Sequence, residues 1–555
     1  MGRSPDWSID DRSVAWRAVA AVKGGDMAGQ GKDEAQPEFA RGVSEAAKPE
    51  PTAATVPQQP VARAGEPTQT AMEYADPVDP WAAAEAASIA AGGKPSYEAP
   101  APNQGGTWTM LGETEAAVQK TKIKGLLIGG AATVVAAGVV AATVLLWPSF
   151  PALDYHRAEE IKRVAPAAAF TSAFTSAEVV GDRAYFAGVD SGGTLRVLAA
   201  DTGAGDKALW ESTAAGRSTT WTAMRATPSV VVLFSGVESA TSTSRMVVLD
   251  AENGSRLWEQ SVGYYDEIHL GAQTVLWTDR ERKRLVGLDL IEGSEKWAVA
   301  DEDATKIHAM PGPDDLTGPA DISGRAFGTD IGDQFVQFDA DKTATVRELA
   351  TGKVLQTREN VSAGGDDVAV HDGRLYVLET GTPKRIFQYD LANLIAEPEA
   401  KYTVGTSEEV DGLTPCGDQL CFIRTKDFDK ATSEVVATGW SLAVPKVKTL
   451  VPVGASGLLA IGDESTTLIV DQKVVWTIDG GVAARLDAGN VLRFSEDLSS
   501  SVGNRALSGF HVGDKAGEIA EMGEIRDVRS ENCSWNTEVI ACVAAEDVVI
   551  YSFAG

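Results

Sequence analysis

Histidine and cysteine are scarce in this chain. Five histidines are spread over 555 residues, His156, His269, His308, His371 and His511, and no two stand at HExxH or HxxxH spacing. The metal and proton-transfer sites that such pairs build are not legible here, and no metal is expected. Basic runs are missing as well. With 49 Lys and Arg against 79 Asp and Glu, a formal −30, the composition excludes a nucleic-acid binder that tracks phosphates on a basic surface. The loop Asp190-Ser191-Gly192-Gly193 has the look of a protease nucleophile segment, but Val189 stands where Gly is usual and no matching His motif precedes it. It reads as a turn between two strands. Asp427 and Asp429 likewise read as turn residues.

What is present begins with one long apolar run. From Gly125 to Leu153 there is no charged residue, and residues 125–147 read GLLIGGAATVVAAGVVAATVLLW. At about 1.5 Å per residue these residues make roughly 35 Å of helix, enough to cross a ~30 Å hydrocarbon core with some tilt. Pro148 and Pro151 stop it. More than a hundred residues precede the run, so it does not read as a cleaved signal peptide. Lys120, Lys122 and Lys124 flank its N-terminal end and place that end in the cytoplasm by the positive-inside rule. The expected organisation is a tail over 1–120, a transmembrane helix with its basic flank over 121–148, and an extracytoplasmic domain over 149–555, in a single-pass protein of the cell membrane. Gly125 and Gly129 form a GxxxG pair, a helix-packing spacing that is also common in membrane helices at large.

The tail and the exported part differ in kind. Residues 28–119 are dominated by Ala, Pro, Glu, Gly, Gln and Thr, with large apolar residues scattered singly, and are expected to be disordered. Up to Lys124 the chain carries 12 basic and 17 acidic residues, which leaves 37 of the 49 and 62 of the 79 beyond it, so the acidity belongs mostly to the exported domain. Met27 is an alternative start, and Thr107, Thr109 and Thr114 are candidate phosphorylation sites. All four cysteines lie after the apolar run, in close pairs. On the exported side they read as disulfides, Cys416 with Cys421 and Cys533 with Cys542. Each would contribute ~2 kcal/mol. Zinc is the competing reading, but the pairs have unusual spacing and no His neighbour.

Beyond the run, short β-branched or alternating segments bounded by Gly, Asp, Asn and Ser recur, for example RAYFAG at 183–188, VVVLFSG at 230–236, TVLWT at 274–278 and RLYVL at 374–378. They repeat as a unit. Residues 246–258 read MVVLDAENGSRLW and 284–297 read RLVGLDLIEGSEKW, with Asp250, Gly254 and Trp258 matched by Asp289, Gly293 and Trp297. Residues 195–210 carry Gly203 and Trp210 with three residues inserted, and 345–356 carry Glu348 and Gly352 with Gln356 in place of Trp. Tyr389-Asp390 and KVVWTI at 473–478 are weaker copies. An apolar strand ending at Asp, a turn through Gly and an outer strand at Trp suit a propeller blade, with Trp packing between neighbours. A fully buried Trp258 or Trp297 would cost about 3–5 kcal/mol on truncation to Ala.

With these residues the chain resembles the PQQ-like repeat β-propellers, whose blades carry a comparable Leu-Asp-Ala-x-Thr-Gly-x-x-x-Trp pattern. The resemblance covers roughly 165–555 and implies an all-β propeller. Repeat spacing gives about eight four-stranded blades, with seven to nine compatible. Closure is expected where residues 155–164 lie as an outer strand beside 547–553. The family includes quinoprotein alcohol dehydrogenases and the propeller lipoprotein of outer-membrane protein assembly. The first would imply PQQ and Ca²⁺ on the axis, vicinal cysteines, a catalytic Asp and a set of calcium ligands, none of which maps onto this sequence. The expected function is therefore a non-enzymatic binding or scaffold module without a cofactor. It would take envelope proteins or polymers on the propeller and a cytoplasmic partner on the tail, with a quinoprotein-type dehydrogenase as the alternative.

Overall fold

The computed structural model describes residues 150–555 apart from 237–242, 302–304, 311–315, 363–365, 515–517 and residues 372, 418, 428, 430 and 431. The expected tail, basic flank and membrane helix lie outside the described residues. No described helix is long and apolar enough to cross a membrane. Among the described residues there are 35 strands and no α-helix.

The strands form eight hydrogen-bonded sheets, seven of four strands and one of seven. The seven smaller sheets are antiparallel meanders spanning 170–212, 221–263, 268–300, 306–358, 367–403, 408–443 and 447–479, called here the first to seventh sheets. Their middle strands are buried on both faces, as in Val230–Ser235 and Thr274–Asp279, because each sheet is covered by a neighbour on either side. Outer strands such as Arg256–Gly263 alternate, since one side meets water.

The eighth sheet departs from the expected repeat. Its long strand Ala520–Trp535 pairs with Val502–His511 over its first part and with Val539–Ala544 over its last. One strand is thus the outer strand of one meander and the inner strand of the next. Seven free-standing meanders and these two fused ones make nine, although the hydrogen-bonded sheets number eight. Repeat spacing missed this because the chain runs on as one strand through both roles, absorbing Gly523 and Asp527, which have positive φ, without turning back.

Tyr155–Val164 closes the last meander by pairing antiparallel with Val548–Ala554, from Tyr155 opposite Ala554 to Val164 opposite Val548. The closing meander is tied back to the first sheet by polar contacts: Val179 N donates to Ser534 Oγ at 3.0 Å and Asn532 Nδ2 to Thr175 Oγ1 at 2.7 Å. Both disulfides are formed. Cys416–Cys421 lies within the hairpin of the sixth sheet, and Cys533–Cys542 joins two residues directly opposite each other, 4.2 Å apart at Cα, where the long strand changes role.

The start of the described chain is clamped. Buried Asn490 accepts from Leu153 N at 3.2 Å and donates to Pro151 O at 2.9 Å, and its amide is held in turn by Asp487. His511 Nε2 lies 3.1 Å from Phe150 O.

Candidate functional site

The repeat residues do their work between sheets. In the second and third sheets Asp250 and Asp289 end the third strand, and each accepts two backbone N–H groups of the following turn through Oδ1, from Glu252 and Asn253 and from Ile291 and Glu292. These donors hold the Asp289 carboxyl below its ordinary range. Gly254 and Gly293 then turn the chain at φ +72° and +68°. A second demand acts on the same glycines. A Cβ on Gly254 would stand 2.6 Å from the ring of Trp210, one on Gly293 2.6 Å from Trp258, and one on Gly352 2.5 Å from Trp297. Each indole lies flat against the turn of the next sheet and donates to a carbonyl there: Trp210 to Ala251 at 3.1 Å, Trp258 to Leu290 at 3.1 Å and Trp297 to Leu349 at 2.9 Å. All three rings are half-buried rather than enclosed, because the seats lie at the rim of the sheets.

The register explains which residue takes the seat. In the outer strand a β-bulge immediately precedes the residue paired with Val248, Gly287, Val346, Ile386 or Leu468, and the residue after it is Trp258, Trp297, Gln356, Tyr402 or Trp476. Gln356 keeps the hydrogen bond of the indole, Nε2 to Ala392 O at 3.2 Å. Gly203 does not take the role its position in the repeat suggested. In that longer loop the positive φ falls on Gly205, against which stands the buried Lys162 of the closing strand, paired with Asp201 at 2.9 Å.

The junction between the fifth and sixth sheets is filled differently. Tyr402 occupies the position after the bulge, and its ring packs on Phe422 of the sixth sheet, 4.9 Å between centroids, while its hydroxyl donates to Glu408 at 3.0 Å and accepts from Arg424 at 2.9 Å. The turn it faces is cut from an Asp-to-Gly loop to the pair Thr438-Gly439. What remains is a cleft of about 500 Å³. Its floor includes Ile386, Phe422 and Val436, its wall Arg374, Glu399 and Lys401, and its rim Thr438 and Gly439.

The axis is handled differently. The fourth sheet carries a long connection between Lys306–Ala309 and Gln334–Phe338, and its described part bonds to inner strands on several sides. Gly328 N donates to Glu178 of the first sheet at 2.9 Å, Ala326 O accepts from Arg225 of the second, and Asp330 Oδ1 accepts from Leu270 N of the third. Ala320 N donates to Arg485 O at 3.0 Å while its carbonyl accepts from Trp535 Nε1 at 3.1 Å, both in the eighth sheet. The connection therefore crosses the space that the inner strands surround. Fully buried Glu178 spends its oxygens on Ala226 N, Gly328 N and Arg225, and burial pushes its carboxyl above the ordinary range. These residues do not fit an axial quinone with calcium: the carboxylate is committed to the chain's own donors and the space is crossed by backbone.

Histidines far apart in sequence meet nearby. His269 and His308, on the inner strands of the third and fourth sheets, each keep a buried Nε2 without a hydrogen-bond partner, and His269 Nδ1 lies 3.9 Å from Asp330. Among the described residues no group of three or more His, Cys, Asp or Glu is placed to hold a metal. Asp190 is a turn residue, its Oδ1 accepting from Gly192 and Thr194 and its Oδ2 from Arg196.

Residues 156–299 match the family model described as outer membrane protein assembly factor BamB, over the sheets that carry Trp210, Trp258 and Trp297. Over that stretch the chain is similar to the PQQ-like repeat β-propellers. None of the curated proteins matches this propeller. Among solved structures it is similar to BamB from Moraxella catarrhalis, at 12% identity and TM-score 0.32 over 73% of this chain and 98% of that one. A europium-containing methanol dehydrogenase is similar at 11% identity and TM-score 0.34 over 59% and 84%. The WD40 domain of Toxoplasma gondii coronin is similar at 8% identity and TM-score 0.31 over 73% and 87%.

Proposed function

We propose that this propeller is a non-enzymatic binding module, held by a single membrane helix on the extracytoplasmic face and engaging envelope proteins or polymers at the edges of its sheets. The observation that carries the reading is the crossing of the axis by residues 316–332. The place where a propeller enzyme of the quinoprotein type would hold its cofactor is spent on internal hydrogen bonds, and concave surface among the described residues lies instead between sheets, as in the cleft beside Tyr402. The exported location rests on the Lys120, Lys122 and Lys124 flank and is in keeping with two formed disulfides.

Crosslinking in intact cells followed by purification of the chain tests the function. Envelope components crosslinked through the domain after residue 150 support it. Dye-linked alcohol oxidation after loading with PQQ and Ca²⁺, lost when PQQ is withheld, would overturn it. Protease added to protoplasts tests the orientation: the domain should be removed and a tail-plus-helix fragment kept.

A further inference from the structure

We propose that the turn over residues 263–267, through the paired rings of Tyr264 and Tyr265, is a contact site for uncharged sugar units of an envelope polymer. This rests on the binding-module reading and names the ligand class for one surface of that module.

Tyr264 and Tyr265 are 44% and 62% exposed, and among the described residues no other aromatic side chain is exposed. The rings meet edge to face, 4.9 Å between centroids and 85° between planes, so at least one face of each is left uncovered by the other. They are not carried on a loose loop. The turn joins the outer strand of the second sheet to the inner strand of the third and is bonded at both ends. Asp266 Oδ2 accepts from Gly263 N at 2.7 Å and from Trp277 Nε1 at 2.8 Å, and its Oδ1 accepts from Arg280 N at 3.0 Å. Asp266 N donates to Gly263 O at 3.2 Å and Glu267 N to Thr278 Oγ1 at 2.7 Å. Two aromatic faces are thus held out to water on a fixed frame, and little ordering entropy remains to be lost when a ligand settles on them.

Charge at this surface selects neither sign. Residues 263–284 carry four acidic and four basic side chains. The arginines are paired, Arg280 with Glu267 at 3.4 Å and both Arg282 and Arg284 with buried Asp279 at 3.2 and 3.0 Å. A charged ligand would have to compete with these pairs, and the formal −30 of the protein turns polyanions away. An extended peptide finds little main chain to pair with, because the N–H groups of Gly263, Asp266 and Glu267 are spent inside the turn. An uncharged sugar meets none of these obstacles. The C–H face of its ring packs on an exposed aromatic face, which is the negative side of the ring quadrupole, and its hydroxyls both donate and accept. Partners of both kinds stand on the hairpin tip that Arg280 N ties to this turn: the Arg282 guanidinium, 60% exposed, and the exposed carboxylate of Glu281.

The test uses the full chain in lipid nanodiscs and saturation-transfer NMR of neutral tetrasaccharides of N-acetylglucosamine, mannose and galactose. At least one should bind with a Kd of roughly 0.1–1 mM, and its ring C–H protons should receive the most saturation. Tyr264→Ala/Tyr265→Ala removes both exposed rings and should weaken that sugar about tenfold, whereas Tyr264→Phe/Tyr265→Phe should keep most of the affinity. Arg282→Ala leaves the rings in place and should weaken it about threefold. Tetragalacturonate, tetralysine and acetyl-Pro-Pro-Leu-Pro-amide should all bind more weakly than that sugar. The proposal is overturned by no binding of any of the sugars, by affinity unchanged in the double Ala variant with circular dichroism intact, or by tighter binding of a charged or peptide probe at the tyrosines. If the sugars fail to bind while envelope components still crosslink elsewhere on the domain, the sugar site is refuted and the module stands. If no component crosslinks anywhere, the module reading itself fails.

Discussion

Trp258 and Trp297 each stand on a glycine of the next sheet, and the two partners of such a contact respond differently to substitution. The rings are half-buried and each donates one hydrogen bond, so Trp297→Ala should cost about 2–3 kcal/mol in chemical denaturation, below the figure for an enclosed ring. The glycine side is sharper. Gly293 and Gly373 both have positive φ, +68° and +67°, so Ala carries a similar backbone penalty of about 1 kcal/mol at each. At Gly373 a Cβ meets nothing within 4 Å, whereas at Gly293 it meets Trp258 at 2.6 Å. Gly293→Ala should therefore be the more damaging of the two by at least about 1 kcal/mol. Equal losses would mean that the ring yields freely. His308 adds a pH dependence. Burial holds its imidazole down to about 3 from an ordinary value near 6.5. The unfolded chain takes up the proton first as pH falls, so His308 contributes stability above about 6.5 that drains away toward pH 3. The stability-versus-pH slope between pH 6 and 4 should be shallower in His308→Gln than in the parent, and identical slopes would contradict the assignment.

At the scale of elements, what the sequence disclosed is what each segment decides alone. Asp250, Gly254 and Trp258 are legible as a group because the Asp closes its own turn and the Gly supplies the turn's left-handed residue, both within a few positions. That the Gly also bears the previous sheet's indole is a contact between repeats, and no single repeat announces it. Closure by Tyr155–Val164 against Val548–Ala554 was legible because two ends of a repeat array must meet. The fused strand Ala520–Trp535 was not, since its Gly523 and Asp527 read as turn residues while the chain passes through them as one 16-residue strand and changes partner without reversing. Nor was the course of 316–332, whose composition reads only as loop and whose destination is set by Glu178, Arg225 and Arg485 elsewhere in the chain. The cleft beside Tyr402 was out of reach for a related reason, since it appears only when two neighbouring repeats are set side by side. The Cys533–Cys542 bridge spans the fused element at its switch point. Its closed loop corresponds to about 2–3 kcal/mol of denatured-state entropy, so the double Ser variant should lose that much stability. The loss should be read by urea titration, and no shift in midpoint would show that the strand holds its register unaided.

For the whole molecule, closure makes the first and last strands interdependent. Deleting residues 155–164 would uncover the edge of Val548–Ala554, whose residues are almost all buried in the closed state. An uncovered apolar edge strand pairs with other chains. Such a deletion should convert a monodisperse species into aggregates in light scattering, and a truncated protein that stays monodisperse would show that the last meander is complete with three strands.

The clamp at the start of the domain decides where a load on that end would go. Asn490, which holds Leu153 N and Pro151 O, and His511, which meets Phe150 O, both belong to the eighth sheet, the sheet that Tyr155–Val164 completes. A pull applied at residue 150 would therefore be shared with the interior of that sheet before it reached the closing strand, and the strand that shuts the ring of sheets would be spared the first of it.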